Sequence, residues 1–217
     1  MNTKRVVITG MGWITPLGHD VESVWKRLLA GDSGVGPVTH FDASTYKTNF
    51  AAQVVDFKLE DFIPDAHRHD AAGLGTKYAL AAAAQAWHQA GLDGSGGAKP
   101  GPRISRRRAG IYLGAGEGSL DHENFFATNL AGWDAEKRTV DAVKWATAAY
   151  ERMTAMKEIE QEPNLALSHL AEEFGLRGPA SNCMTACAAS TQAIGEAYEI
   201  IKRGDADVMI GGGAHSM

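Results

Sequence analysis

The sequence predicts an α/β fold in which a sheet lies between helices on both of its faces. Three short apolar segments without polar alternation end at glycine, as strands buried on both faces of a parallel sheet do. These segments are Arg5 to Gly10, Ala109 to Gly114 and Asp207 to Gly211. Between them lie segments whose apolar residues recur at helical spacing, and strands alternating with helices are typical of a layered α/β domain.

Four helices are predicted from apolar periodicity and from the residues at their ends. Asp20 is the expected N-cap of the first helix, Pro163 is the expected first residue of the third, and glycine ends each of the four. The predicted helices are 21–30, about 71–90, 163–174, and the helix that follows Cys187 and runs to Arg203.

Two regions interrupt this alternation of strands and helices. Residues 93–103 are rich in glycine and proline, which predicts a surface loop. Residues 134–162 are highly charged, with a narrow seam of Val140, Val143 and Tyr150 at helical spacing. This pattern predicts one long exposed helix, a charged helical insertion whose simplest explanation is a solvated face.

Composition excludes several classes of protein. The 217 residues carry a formal net charge of −5, which lacks the basic character of a nucleic-acid-binding protein. The apolar segments are shorter than the roughly 18 residues that a membrane span needs. The two cysteines are too few for a disulfide scaffold, and the start of the chain has no signal-peptide pattern. We therefore expect a cytoplasmic protein that does not bind membranes or nucleic acids.

Two familiar site patterns fail on inspection. Gly10 and Gly12 begin a dinucleotide-binding fingerprint, but the third glycine position is Thr15. Cys183, Cys187 and His215 lack a second pair of ligands at zinc spacing. The sequence therefore predicts neither a nucleotide cofactor nor a metal.

Cys187 is the candidate nucleophile. A short β-type segment of small residues ends just before it, so Cys187 is expected in the first turn of the following helix. A helix N-terminus favours the thiolate, and the small neighbours Ala186, Ala188, Ala189 and Ser190 leave room for a substrate. On these grounds alone, Cys187 as an ordinary buried residue stays open. Cys183 is expected inside the strand.

Three separated motifs resemble the β-ketoacyl-acyl-carrier-protein synthases of the elongating, type II branch. They are the opening segment 5–18, the Gly-Leu-Arg-Gly-Pro at 175–179, and the cysteine motif 185–190 followed by 204–214. The resemblance covers nearly the whole chain except residues 119–162. It implies the N-terminal half of a thiolase-like fold over residues 1–217, with a C-terminal half, absent from this chain, that carries two histidines and a lysine.

The resemblance also implies a mechanism and partners. Cys187 would hold an acyl group delivered on the phosphopantetheine of an acyl carrier protein, and this acyl group would condense with malonyl-carrier thioester after loss of carbon dioxide. No metal or redox cofactor is implied. The implied partners are the carrier protein and either a second copy of the chain or a complementary C-terminal half. His215 departs from the family, in which a carboxylate usually follows the glycine-glycine-alanine.

Two alternatives stay open. One is another enzyme of the thiolase superfamily that uses coenzyme A esters. The other is a non-catalytic half-subunit that dimerises or binds carrier protein. Arg68 and the run Arg106 to Arg108 are candidate cations for docking an acidic carrier protein, although a solvated strand entry is the favoured explanation of the run.

Overall fold

The computed structural model describes residues 5–94, 97–100, 104–115 and 121–216. The helices in these ranges are α1 (Val21–Ala30), α2 (Leu74–Gln89), α3 (His122–Gly132), α4 (Ala142–Arg152), α5 (Ala155–Glu160), α6 (Leu165–Phe174) and α7 (Ala189–Arg203). The strands are β1 (Val35–Pro37), β2 (Phe50–Ala52), β3 (Asp93–Gly94), β4 (Gly97–Pro100), β5 (Ala109–Ala115), β6 (Trp133–Asp134), β7 (Thr139–Val140), β8 (Ala180–Cys183) and β9 (Val208–Ala214). Across the described part of the chain, no helix has both the length and the apolar character needed to cross a membrane.

The central sheet has the strand order β8-β5-β9, and both pairings are parallel. β5 aligns with β9 over its whole length, from Ala109 opposite Val208 to Ala115 opposite Ala214. Two of the three predicted strands are therefore confirmed, but only β5 is buried along its length, whereas β9 is partly exposed. Because the strands are parallel, the chain leaves β5, β8 and β9 at one common edge of the sheet.

Helices cover both faces of this sheet, as predicted. One face carries large apolar side chains, among them Ile111 and Leu113, which pack with Leu170 and Phe174 of α6 and with residues of α2 in the main core. On the other face, Gly114, Gly211 and Gly213 lie close against α7. The two faces therefore differ in the size of the side chains that they present to their helices.

The predicted strand from Arg5 to Gly10 is wrong, since residues 5–14 form no strand. The segment instead lies along α2, where the Met11 N–H donates to Gln89 Oε1 at 2.7 Å. Side chains at Gly10 and Gly12 would clash with carbonyl oxygens of α2, which accounts for this Gly-x-Gly without a nucleotide. An extended segment is a strand only when a neighbour completes its hydrogen-bond ladder, and an apolar gap of about 360 Å³ separates residues 6–10 from β9.

The helix ends largely follow the predictions. The Asp20 carboxylate caps α1 by accepting the Ser23 N–H at 2.8 Å. Gly31, Gly175 and Gly204 adopt positive φ angles of 74°, 63° and 91° directly after their helices. Pro163 is not the first residue of the third predicted helix, because α6 begins only at Leu165, after Asn164.

The long helix predicted over residues 134–162 is also wrong. The antiparallel pair β6 and β7, α4 and α5 occupy this region. Asp134 accepts backbone N–H groups in the hairpin turn, while Asp141 and Thr154 cap two separate helices. Short polar side chains that bond to nearby N–H groups compete with a continuous helix, and here they divide it.

The surface loop predicted over residues 93–103 is partly ordered as the antiparallel pair β3 and β4. Residues 95–96 and 101–103 of that prediction lie outside the described residues.

Candidate active site

Cys187 lies in a 3₁₀ turn, Ala186–Ala188, between β8 and α7. The prediction that Cys187 occupies the first turn of the helix is therefore wrong by two residues, because α7 begins at Ala189. The reason is local: Ala186 has a φ of 49°, a left-handed conformation that interrupts the helical path. The turn leaves Cys187 exposed.

Cys183 has a different environment. It is the last residue of β8, as predicted, and is half-buried. Its Sγ donates to the Ala189 carbonyl oxygen at 3.4 Å, so this thiol is engaged by the backbone at the start of α7. Both cysteines are free thiols, but Cys187 is the more accessible of the two.

A pocket of about 530 Å³ surrounds Cys187 at the carboxyl edge of the sheet. Its walls are mostly small residues, including Ala186, Ala189 and Ser190 of the four predicted neighbours, whereas Ala188 does not line it. The other lining residues are Gly114, Ala115, Met184, Gly213, Ala214 and His215. A pocket with small walls beside an exposed thiol can admit a flexible thioester chain.

His215 is the site residue that sequence reasoning left without a role. It follows the last residue of β9 and lines the same pocket as Cys187. The backbone at residues 215 and 216 is held against Gly75 of α2, where an added methyl group would lie 3.2 Å from the Ser216 nitrogen. The parallel order of β5, β8 and β9 is the signal that would have found it, since His215 and Cys187 both follow strands that end at one edge.

The described residues contain no group of three His, Cys, Asp or Glu side chains placed to hold a metal ion. No such group is therefore formed by the three residues that the sequence analysis considered as zinc ligands, Cys183, Cys187 and His215.

The family model for the N-terminal domain of β-ketoacyl synthases matches residues 3–217. The chain belongs to the β-ketoacyl synthase family. Its sequence is 34% identical over 215 residues to 3-oxoacyl-[acyl-carrier-protein] synthase 2 of Staphylococcus aureus (strain COL), an alignment that covers 98% of this chain and 46% of that protein. The chain thus spans about half the length of the curated relatives it matches.

Solved structures agree with this assignment. A β-ketoacyl synthase from Burkholderia phymatum STM815 matches 99% of this chain and 47% of its own, with a TM-score of 0.76 and 27% identity. The ishigamide ketosynthase/chain length factor matches 99% of this chain and 48% of its own, with a TM-score of 0.77 and 27% identity. The thiolase-like α/β fold expected for this β-ketoacyl synthase domain is confirmed, and it covers the N-terminal half of those proteins.

Proposed function

We propose that the chain supplies the acyl-accepting half of a condensing enzyme that elongates acyl chains in fatty acid or polyketide-type synthesis, with Cys187 as the nucleophile. The observation that carries the proposal is an exposed thiol in a pocket of small residues, at the sheet edge of a β-ketoacyl synthase domain. The curated relative is an acyl-carrier-protein-dependent synthase by name. Substrate and partner come to this chain by that likeness.

The first step is transfer of the acyl group to Cys187. The Sγ attacks the thioester carbonyl carbon, a new C–S bond forms, and the old C–S bond to phosphopantetheine breaks. The thiol proton passes to the departing phosphopantetheine thiolate. The exchange of one thioester for another changes no oxidation state, so this step needs no redox cofactor, and the substrate arrives on the carrier's phosphopantetheine.

The second step is condensation. Malonyl-carrier thioester loses carbon dioxide, and the electron pair of the broken C–C bond becomes an enolate, whose carbon attacks the acyl group on Cys187. The Sγ leaves, and the product is a β-ketoacyl thioester two carbons longer. Donors placed against the enolate oxygen lower this barrier by several kcal/mol. Cys187, Ser190 and His215 are the residues with reactive polar side chains among those that line the described pocket.

The exposed edge of the sheet at β9 supports binding of another protein chain. Within the described residues, β9 is paired on one side only, with β5, and the apolar gap beside residues 6–10 flanks its other side. An unpaired edge next to an apolar gap favours an added strand. A second copy of the chain or a complementary half would cover it. Two free cysteines agree with a reducing, cytoplasmic compartment.

The carrier protein would dock through arginines. Arg68 is the weaker of the predicted docking residues, because its guanidinium lies within 4 Å of three carboxylates. Arg108 is also engaged: it donates to both carboxylate oxygens of Asp207 at 2.6 and 2.7 Å, and this pairing raises the pKa of its guanidinium. Arg106 and Arg107 are exposed and are the better candidates.

The test is acyl transfer from a radiolabelled acyl-carrier protein to residues 1–217. Cys187→Ala should lose the label, whereas Cys183→Ala should keep it and serves as the matched control. Alkylation by iodoacetamide followed by peptide mapping should likewise mark Cys187 first. Labelling confined to Cys183 would contradict the proposed nucleophile.

The same assay separates the alternatives. Label arriving from acyl-coenzyme A but not from the carrier protein would indicate the coenzyme A branch of the superfamily. Binding of carrier protein without any label on Cys187 would indicate a non-catalytic half-subunit.

A further inference from the structure

A chain of ionisable side chains lies buried where α6 meets the 3₁₀ turn Ala66–His69, away from the Cys187 pocket. His69 is fully buried, and the side chains of Glu173, Glu160 and His169 are 5%, 8% and 12% exposed. Arg68 closes the chain at one end through its contact with Glu173. We call these five residues the histidine network.

Besides the contact between Arg68 and Glu173, three contacts connect the members of the histidine network. His69 Nε2 lies 3.2 Å from Glu173 Oε2, and His69 Nδ1 lies 2.9 Å from His169 Nδ1. His169 Nε2 lies 3.1 and 3.2 Å from the two carboxylate oxygens of Glu160. Each imidazole therefore uses one nitrogen for a carboxylate and the other for its neighbouring imidazole.

The number of hydrogens in these contacts sets the charge of the network. An ionised carboxylate only accepts, so the Nε2 atoms of both histidines must donate. The contact between the two Nδ1 atoms needs one more hydrogen, because two bare nitrogens would face each other with their lone pairs. Three N–H groups on two rings are one more than two neutral imidazoles carry.

We propose that the histidine network is a proton-binding site, in which His69 and His169 share one additional proton that fastens α5 and the Ala66–His69 turn to α6. With this proton, two positive groups balance two carboxylates, and the buried network is neutral. Burial strongly disfavours an unpaired charge, so neutrality favours the protonated form.

The acidic residues around Arg68 act in the same direction. Asp65 and Glu172 lie 3.7 and 3.8 Å from the Arg68 guanidinium and add negative charge on that side. On α5, one carboxylate oxygen of Glu158 is buried and has no hydrogen-bond partner in the described residues. Lys157 of α5 pairs with Asp121 at 3.1 Å.

Loss of the proton would act first on α5. This helix has only six residues, most of them exposed, and Glu160 ties it to His169 of α6. Without the shared proton, the imidazoles repel at 2.9 Å and the network gains a negative charge. We expect α5 to detach from α6 as the pH rises.

The first test compares melting temperatures across pH. A histidine in an unfolded chain changes from the charged to the neutral form at about pH 6.5. If the network keeps this proton above that pH, folding takes up a proton, and the melting temperature falls by about 3–5 °C per pH unit. His169→Asn should flatten this slope, because an amide can donate to His69 Nδ1 without an additional proton.

His88→Gln is the matched control, because His88 also pairs with a carboxylate, that of Asp93, but is 84% exposed. It should keep the wild-type slope. An equal slope in wild type and His169→Asn would overturn the proposal.

A second measurement does not depend on any variant folding. Nitrogen-15 NMR of the wild-type imidazoles at about pH 7.5 should show three protonated ring nitrogens shared by His69 and His169. Two neutral rings would overturn the proposal. Hydrogen exchange should show α5 amides losing protection as the pH rises while α6 amides keep theirs, and parallel behaviour of the two helices would contradict the fastening role.

Discussion

At Gly114, the missing side chain decides how closely α7 approaches the sheet. A methyl group there would lie 2.3 Å from the Ala189 carbonyl carbon, well inside van der Waals contact. Gly213 and Gly211 similarly face Ser190 and Ala197 of α7. These glycines bring the start of α7, and with it Cys187, down onto the carboxyl edge of the sheet.

Gly114→Ala should therefore destabilise the fold by about 1–3 kcal/mol, since overpacking forces the helix away from the strand. Gly195→Ala is the matched control on α7 itself, where an added methyl group meets nothing within 4 Å. It should stabilise the helix by about 0.5–1 kcal/mol. Urea unfolding of both variants measures the effects, and equal midpoints would show that the close packing of α7 is not limiting.

At the scale of the element, α1 shows how a single side chain determines where a helix begins. The Ser23 hydroxyl donates to Asp20 Oδ2 at 2.6 Å, and the Ser23 N–H donates to Asp20 Oδ1 at 2.8 Å. The hydroxyl contact, followed by the backbone contact, lowers the pKa of Asp20 below its ordinary value. The ionised form therefore stabilises the folded state.

Asp20→Ala should cost about 1 kcal/mol of stability near neutral pH through loss of the N-cap. A carboxyl group with a lowered pKa in the folded state contributes above its unfolded pKa and loses that contribution as the pH falls through the folded value. The difference between wild type and Asp20→Ala should thus shrink in acid. Asp20→Asn, which keeps a capping oxygen without the charge, should show a smaller and pH-independent loss. A constant difference down to about pH 2 would rule out the ionised cap.

At the scale of the whole molecule, the β9 edge of the sheet lies next to an uncovered apolar gap. Val7 and Ile8 are 60% and 76% exposed, and both line the gap beside β9. Apolar surface next to an unpaired strand edge favours association with another protein chain.

We expect the chain to be at least dimeric, or to bind a complementary half, at micromolar concentration. Ile8→Lys should weaken this association by placing a charge in the gap. Leu29→Lys is the matched control, because Leu29 is 71% exposed on α1 and does not line the gap. Light scattering measures the mass, and a stable wild-type monomer would contradict the expectation.

A further expectation for the whole molecule concerns which steps this chain can perform. Residues 1–217 should accept an acyl group on Cys187, because the thiol and its pocket are both present. Decarboxylation should be slower by orders of magnitude, since the family resemblance assigns its donors to histidines in a C-terminal half. Release of labelled carbon dioxide from malonyl-carrier protein measures this step. Rapid release by this chain alone would show that its own residues, His215 first, supply the donors.

Local sequence patterns by themselves determined most of the helix ends, the strands β5 and β9, and the candidate nucleophile. Asp20, Gly31 and Gly204 act within a turn of their own helix, so their effect is visible in the sequence. The cysteine motif likewise predicted an accessible thiol with small neighbours.

Only the tertiary structure decided the features that depend on residues distant in the chain. Residues 5–10 have the apolar pattern of a strand, but within the described residues no neighbouring strand pairs with them. A strand forms only when a partner completes its hydrogen-bond ladder, and a local sequence pattern does not show whether that partner is present. His215 enters the Cys187 pocket through the parallel order of the strands. His69 and His169, 100 residues apart, meet only because the Ala66–His69 turn packs against α6. Periodicity reports which face of an element is buried, whereas packing decides which buried groups meet.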